Sequence, residues 1–296
     1  MGTSNSYGGS GGDKPLVPSW LPDGGSAPPP IPPVPPTVPP TAPPGTNPVP
    51  PVPAPPVLPL LPAPGDAARF TPARSNFTRF VTSGGSDRVS LGRAISHYVS
   101  TSLGGSGTAA RRMGASRQAS ARLATILSGA LANGPREALR SLKLESLAGH
   151  PIEEIFLGMM EYVCPEGGTI DDSIAREAFV ETIADLAANG LTDFDALTAE
   201  QLQTILELYA AHAIEARLCN DIGTKAVTLP SNVAAVENIQ KQLFDFVRRS
   251  VSDVFMTGLA GVAAMTPDKV VGFVTGVYEQ AFAILQSMGE AEVDAK

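Results

Sequence analysis

Thr198-Ala-Glu-Gln-Leu-Gln-Thr-Ile-Leu-Glu-Leu-Tyr-Ala-Ala-His-Ala213 decides how the folded part of this chain is built. It opens with a capping box. The Thr198 hydroxyl can accept from the backbone N–H of Gln201, and the Gln201 side chain can return to the Thr198 N–H. Behind the box, Leu202, Ile205, Leu206, Tyr209 and Ala213 recur at steps of three and four, which places them on one face of an α-helix.

The same grammar continues on both sides. Upstream, Thr169 precedes a helix whose first turn holds Asp171 and Asp172, and Gly190 follows its end. Carboxylates there suit the positive end of the helix dipole, which explains the pair without acid–base catalysis. Downstream, Ser231 is placed to cap a helix with Val236, Ile239, Leu243 and Phe246 inward. Thr266-Pro267 opens another, along which Val270, Val274, Val277, Ala281, Ile284 and Met288 form a narrow apolar seam. Nearer the N-terminus, the pattern predicts helices over Asp87–Leu103 (capped by Ser86), Thr108–Asn133 (stopped by Gly134-Pro135), Arg136–Leu144 and Pro151–Val163. Only Ala226–Leu229 is ambiguous with a strand. The reading is an all-α domain of several helices.

Composition divides the chain into four parts. Of the 29 prolines, 24 lie in residues 1–72, so this quarter lacks the mixed apolar side chains and backbone donors of a packed core. Residues 1–14 are a flexible Gly/Ser-rich tip. Residues 15–65 are a disordered proline-rich spacer, whose run 28–64 at ~3.1 Å per residue in polyproline II can reach on the order of 100 Å. Residues 66–145 carry 12 Lys/Arg against 4 Asp/Glu, and residues 146–296 carry 8 against 23. The basic part is almost wholly arginine, the side chain suited to forked contacts with carboxylate or phosphate. Arg111, Arg112, Arg117 and Arg122 are predicted on one basic helix face, available to nucleic acid or to a partner protein. In Arg69-Phe70-Thr-Pro-Ala-Arg74-Ser-Asn-Phe77-Thr-Arg79-Phe80, aromatics alternate with arginines. Two readings fit: stacking with phosphate contact, or a connector whose phenylalanines pack on the domain while its arginines meet acidic neighbours.

Chemistry is sparse. The three histidines are His97, His150 and His212. His212 and Glu215 stand at i, i+3, but no second pair has the spacing of a structural zinc site, so no metal is expected. Cys164 and Cys219 form no disulfide framework, and ordinary buried cysteines are the expectation for both. Gly104-Gly-Ser-Gly107 lacks the Lys-Ser/Thr of a phosphate loop. No signal peptide is visible and no apolar run reaches the ~20 residues of a membrane span, so a cytoplasmic protein is expected, with no membrane contact.

What remains is the tip. Gly2 is small, so removal of Met1 is expected to expose an α-amine. Its reference pKa of about 7.7–8.0, against about 10.4 for lysine, leaves a larger nucleophilic fraction at neutral pH. Thr3, Ser4, Asn5, Ser6, Gly8 and Gly9 offer little bulk, and Tyr7 is the one large side chain among them. Such a tip can thread a narrow active site as an acyl acceptor. Gly2 with Ser6 also matches a myristoylation pattern, and a tip with no role is the third reading. Trp20, flanked by Leu and Pro, either anchors in a partner's pocket or folds back on the domain.

Met1-Gly-Thr-Ser-Asn-Ser-Tyr-Gly-Gly9, the proline tract, Asn76-Phe-Thr-Arg-Phe80, Ser83-Gly-Gly-Ser-Asp-Arg88 and Arg112-Met-Gly-Ala-Ser-Arg117 together resemble the QatB family of the bacterial Qat anti-phage defence system. The resemblance covers roughly residues 1–125 most specifically. It implies three partners: an ATPase (QatA), a QueC-like enzyme (QatC) and a TatD-like nuclease (QatD). Because no catalytic constellation stands in the sequence, a non-enzymatic role with no cofactor of the chain's own is expected, and the resemblance adds a role for the tip. Gly2 would accept a 7-deazaguanine from the QueC-like enzyme, with Thr3 to Gly9 as the recognised tip.

Overall fold

The computed structural model describes residues 67–223, 230–258, 265 and 267–294. The tip, the proline spacer and the ambiguous Ala226–Leu229 lie outside the described residues. Within them the chain is all-α, as its periodicity predicts. The only extended pairing is one isolated bridge between Pro151 and Asp193. In order, the helices are α1 (Thr71–Thr82), α2 (Arg88–His97), α3 (Ser106–Arg111), α4 (Gly114–Asn133), α5 (Pro135–Ser141), α6 (Ile152–Val163), α7 (Ile170–Ala188), α8 (Ala199–Leu218), α9 (Val233–Gly258) and α10 (Pro267–Asp294).

The capping box at Thr198 forms as its sequence implies, and so does a second one pairing Thr169 with Asp172. Helix α8 is more central than a one-faced pattern suggests. Leu208, Ala210, Ala211 and Ile214 are buried along with Leu202, Ile205, Leu206, Tyr209 and Ala213. A helix apolar nearly all round belongs inside a core, and α8 packs on α4, α7 and α9. The Phe156 and Phe179 rings stack at 5.8 Å and 14°, and Tyr209 meets Phe179 edge-on at 6.2 Å.

Helix α10 joins the two compositional halves, packing against α2, α3, α4 and α9. Its apolar residues form a broad face rather than a narrow seam, because Tyr278, Phe282 and Leu285 are buried along with Val270, Val274, Val277 and Ala281. At its crossing with α2, backbone meets backbone. A Cβ added at Gly289 would stand 2.5 Å from the Gly92 carbonyl oxygen, and one added at Gly92 would stand 2.8 Å from the Gly289 oxygen.

Several expected elements differ. The helix expected over Thr108–Asn133 is two helices, broken at Arg112–Met113, because Met113 turns its side chain into the core. The Asp66–Gly85 stretch, read as a connector, contains α1. Its inward residues Ala73, Phe77, Phe80 and Val81 keep a helical period that the interleaved arginines hide. Asp87, not Ser86, caps α2, since its longer carboxylate reaches the Ser90 N–H at 3.1 Å. Past His97, the helix expected to run to Leu103 widens into a π-helical turn at Tyr98–Ser102. Asn232, not Ser231, accepts from the Ala234 N–H at the head of α9. Helix α5 starts one residue early, at Pro135, and stops at Ser141, ahead of Lys143 at φ 59°.

Candidate functional site

The sequence-predicted residues fall into two groups. Gly2, Thr3, Ser4, Asn5, Ser6, Tyr7, Gly8, Gly9 and Trp20 lie outside the described residues. The four arginines are inside, and they do not share one face, since the break at Arg112–Met113 turns α3 away from α4. Arg111 is exposed and donates to the Thr108 hydroxyl at 2.9 Å. Arg112 is half-buried, and its guanidinium makes no hydrogen bond or ion pair with a described residue. Arg117 donates to the Thr275 hydroxyl at 3.1 Å, tying α4 to α10. Arg122 reaches the Val163 carbonyl at 3.2 Å, while Arg176 takes the next carbonyl, that of Cys164, at 2.8 Å. These two cations satisfy orphan carbonyls at the C-terminus of α6, where the helix dipole favours positive charge. Of the four predicted arginines, Arg117 and Arg122 are therefore engaged with other helices, and Arg111 only within its own.

Asp171 has a long-range role that its dipole reading missed. No side chain at the start of α4 caps that helix. Instead, Asp171 from α7 accepts from the Ala115 N–H at 2.8 Å. Its other oxygen receives Arg217 at 3.4 Å, and the Arg217 Nε lies 3.2 Å from Asp221, which also accepts from the Tyr98 hydroxyl at 2.9 Å. Burial, with the Asp221 charge behind it, pushes the Tyr98 hydroxyl well above its ordinary value. That phenol stays a neutral donor.

A cleft of about 450 Å³ lies between α7, α8 and α9. One wall is acidic, formed by Glu177 and Glu181 of α7, and Asp185 continues their i, i+4, i+8 row beyond the lining to reach His212. That spacing is visible in the sequence, but which helix it faces is not. Opposite it, α8 presents His212, Glu215 and Cys219, and α9 adds Gln240, Lys241 and Phe244. His212 lies flat on Phe244, ring centroids 4.4 Å apart, and its Nε2 is 2.9 Å from Asp185. Burial lifts the Glu215 carboxyl to about 7, helped by the charges of Glu181, Glu177 and Asp185. Such a lining favours cations. No group of three or more His, Cys, Asp or Glu among the described residues is arranged to hold a metal ion.

Neither thiol is activated. Burial pushes Cys164 to about 11, even with Tyr209 hydrogen-bonded to it, and pushes Cys219 to about 12, where Glu215 adds to the rise. A reactive cysteine needs a lowered pKa. Among the described residues no helix is long and apolar enough to cross a membrane.

These features define the class of molecule: an all-α domain with one shared core, an acidic cleft, and arginines divided between structure and surface. The family model described as Qat anti-phage system associated protein QatB matches residues 104–285, more than half of the chain. The chain belongs to the QatB family and is a component of an anti-phage defence system. No curated protein and no solved structure matches it. The matched region lies mostly downstream of the motifs that carried the resemblance, within helices whose sequence alone was not diagnostic.

Proposed function

We propose that this chain is a non-enzymatic member of its defence system, presenting Gly2 for conjugation to a 7-deazaguanine by a QueC-like partner. The observation that carries the reading is Gly2 itself: a small residue after Met1, followed by low-bulk residues and a proline-rich run. The α-amine has the pKa of a usable nucleophile near neutrality. In the step proposed, that nitrogen attacks an activated carboxyl carbon, an amide bond forms, the activating group leaves, and the amine proton passes to solvent. QatB family membership supports the setting. The raised thiols of Cys164 and Cys219 weigh against a cysteine nucleophile within the helical domain.

Intact-mass analysis after co-expression with the QueC-like partner tests this directly. An adduct on Gly2 is expected, and Gly2→Pro, whose amine is secondary and hindered, is expected to lose it. An unmodified N-terminal peptide in the presence of active partner and precursor rejects the reading.

A second role, docking on the system's ATPase (QatA) or TatD-like nuclease (QatD), is favoured at Arg111 and Arg112 by one observation. The Arg112 guanidinium is left without a described partner, whereas Arg117 and Arg122 are engaged. Reversing the charge of Arg111 and Arg112 together is expected to abolish co-purification with that partner. Retained co-purification removes this role. Salt-dependent nucleic-acid binding lost in the same variant would assign the pair to nucleic acid instead.

A further inference from the structure

Arg69 and Arg74 stand near the start of the described residues, and their surroundings are unusual for two half-buried cations. The Arg69 guanidinium carbon stands 4.8 Å from the centroid of the Phe70 ring, and that of Arg74 stands 5.2 Å from the same centroid. The two charges are thus held within about one Debye length of each other, roughly 10 Å at 0.1 M salt. Neither makes an ion pair with a described carboxylate. The acidic neighbours expected for arginines in this stretch do not pair with Arg69 or Arg74 among the described residues. The nearest candidate, Asp221, gives its carboxylate to Tyr98 and Arg217 and offers Arg74 only its backbone oxygen, at 2.8 Å. Arg69 donates to no described group, and the Nε atoms of both arginines are buried without a partner.

Like charges brought together and partly removed from water repel unless an anion is shared between them. Contact with the Phe70 ring orients the guanidinium groups but neutralises neither. We propose that Arg69 and Arg74, gathered over Phe70, form a binding site for a single oxyanion group, a phosphate or a carboxylate. Guanidinium forks match both geometries. The aromatic stacking reading of this stretch does not hold, because Phe70, Phe77 and Phe80 are all buried, at 8%, 5% and 0% exposure. A nucleic-acid strand would need a run of phosphate contacts, and this site offers two cations on a chain of net charge −8. The proposal is independent of any modification at Gly2.

The test uses the full chain with ¹⁵N-labelled arginine, following the Nε–Hε resonances. Inorganic phosphate is titrated at neutral pH, with total ionic strength held constant by sodium chloride, and sodium acetate forms a parallel arm. Saturating shifts confined to Arg69 and Arg74 are expected. A response to phosphate alone assigns a phosphate site, and a response to both assigns a general oxyanion site. Arg74→Gln is expected to weaken binding by about tenfold, the loss of one charge-assisted contact. If that variant does not fold, Arg74→Lys keeps the charge without the fork and is expected to weaken phosphate binding less. Shifts that rise linearly, spread across all arginines, or match those of chloride overturn the proposal, as does unchanged affinity in Arg74→Gln.

Discussion

Helices α7 and α8 meet through large side chains, whereas α2 and α10 meet where side chains are missing. In the first pair Phe179 lies between Phe156 and Tyr209, and the Tyr209 hydroxyl returns to the Ala175 carbonyl at 3.3 Å. In the second, Gly92 and Gly289 bring two backbones into contact. A bulky contact loses stability when it is emptied, and a glycine contact loses it when it is filled. The two should therefore fail under opposite substitutions.

The largest effect is expected from Phe179→Ala. The ring is fully buried, and its removal should cost about 3–5 kcal/mol in urea unfolding. A cost under about 1 kcal/mol would mean the pair is not held by its rings. Gly289→Ala should come next, at about 2–3 kcal/mol, because the new methyl group meets a backbone carbonyl that cannot rotate away. Gly272 on the same helix has open space around its Cβ position. Gly272→Ala should therefore raise the midpoint, by about 0.5–1 kcal/mol, through helix propensity alone. The same sign for both alanines would refute the close-approach account.

A third test reaches the polar edge of the α7–α8 pair. The Glu215 carboxyl rises from its ordinary 4.5 to about 7 in the fold. Between those values the folded state binds the proton that the unfolded state has released. Stability from this group is therefore full below about pH 4.5 and is lost as pH rises through about 7. Glu215→Gln should flatten that slope and stabilise the protein above pH 7 by on the order of 2 kcal/mol. A pH profile matching the parent would show that Glu215 titrates normally. A smaller effect than that of Glu215 is expected at the other end of α7. Asp171→Ala removes the side-chain acceptor at the N-terminus of α4 and one partner of Arg217, at a cost of about 1–2 kcal/mol. The neighbour Asp172, which serves its own helix, should matter less when changed to Ala. Equal losses would make Asp171 a local cap as well.

This difference between near and distant partners also marks what the sequence disclosed. Thr198, Thr169 and Gly190 announced helix ends because each acts within a few residues of itself. The break before α4 was hidden, since its cap comes from Asp171, 56 residues away in the chain. Gly92 and Gly289 gave no sign of their meeting, because a glycine carries no apolar signal. Candidate site residues divided in the same way. His212 and Glu215 stood out by spacing on one helix, but their facing carboxylates on α7 required the fold. The basic face failed because spacing along a presumed continuous helix says nothing of a break, nor of Thr275 and Val163 as waiting acceptors.

The α2–α10 contact has a consequence for how the protein is made. Ser96 and Glu290 meet across 194 residues of sequence. At typical synthesis rates of about 5–20 residues per second, α2 leaves the ribosome roughly 10–40 s before its partner exists. During that interval the surface of α2 that α10 will cover, centred on Gly92, has no mate within its own chain.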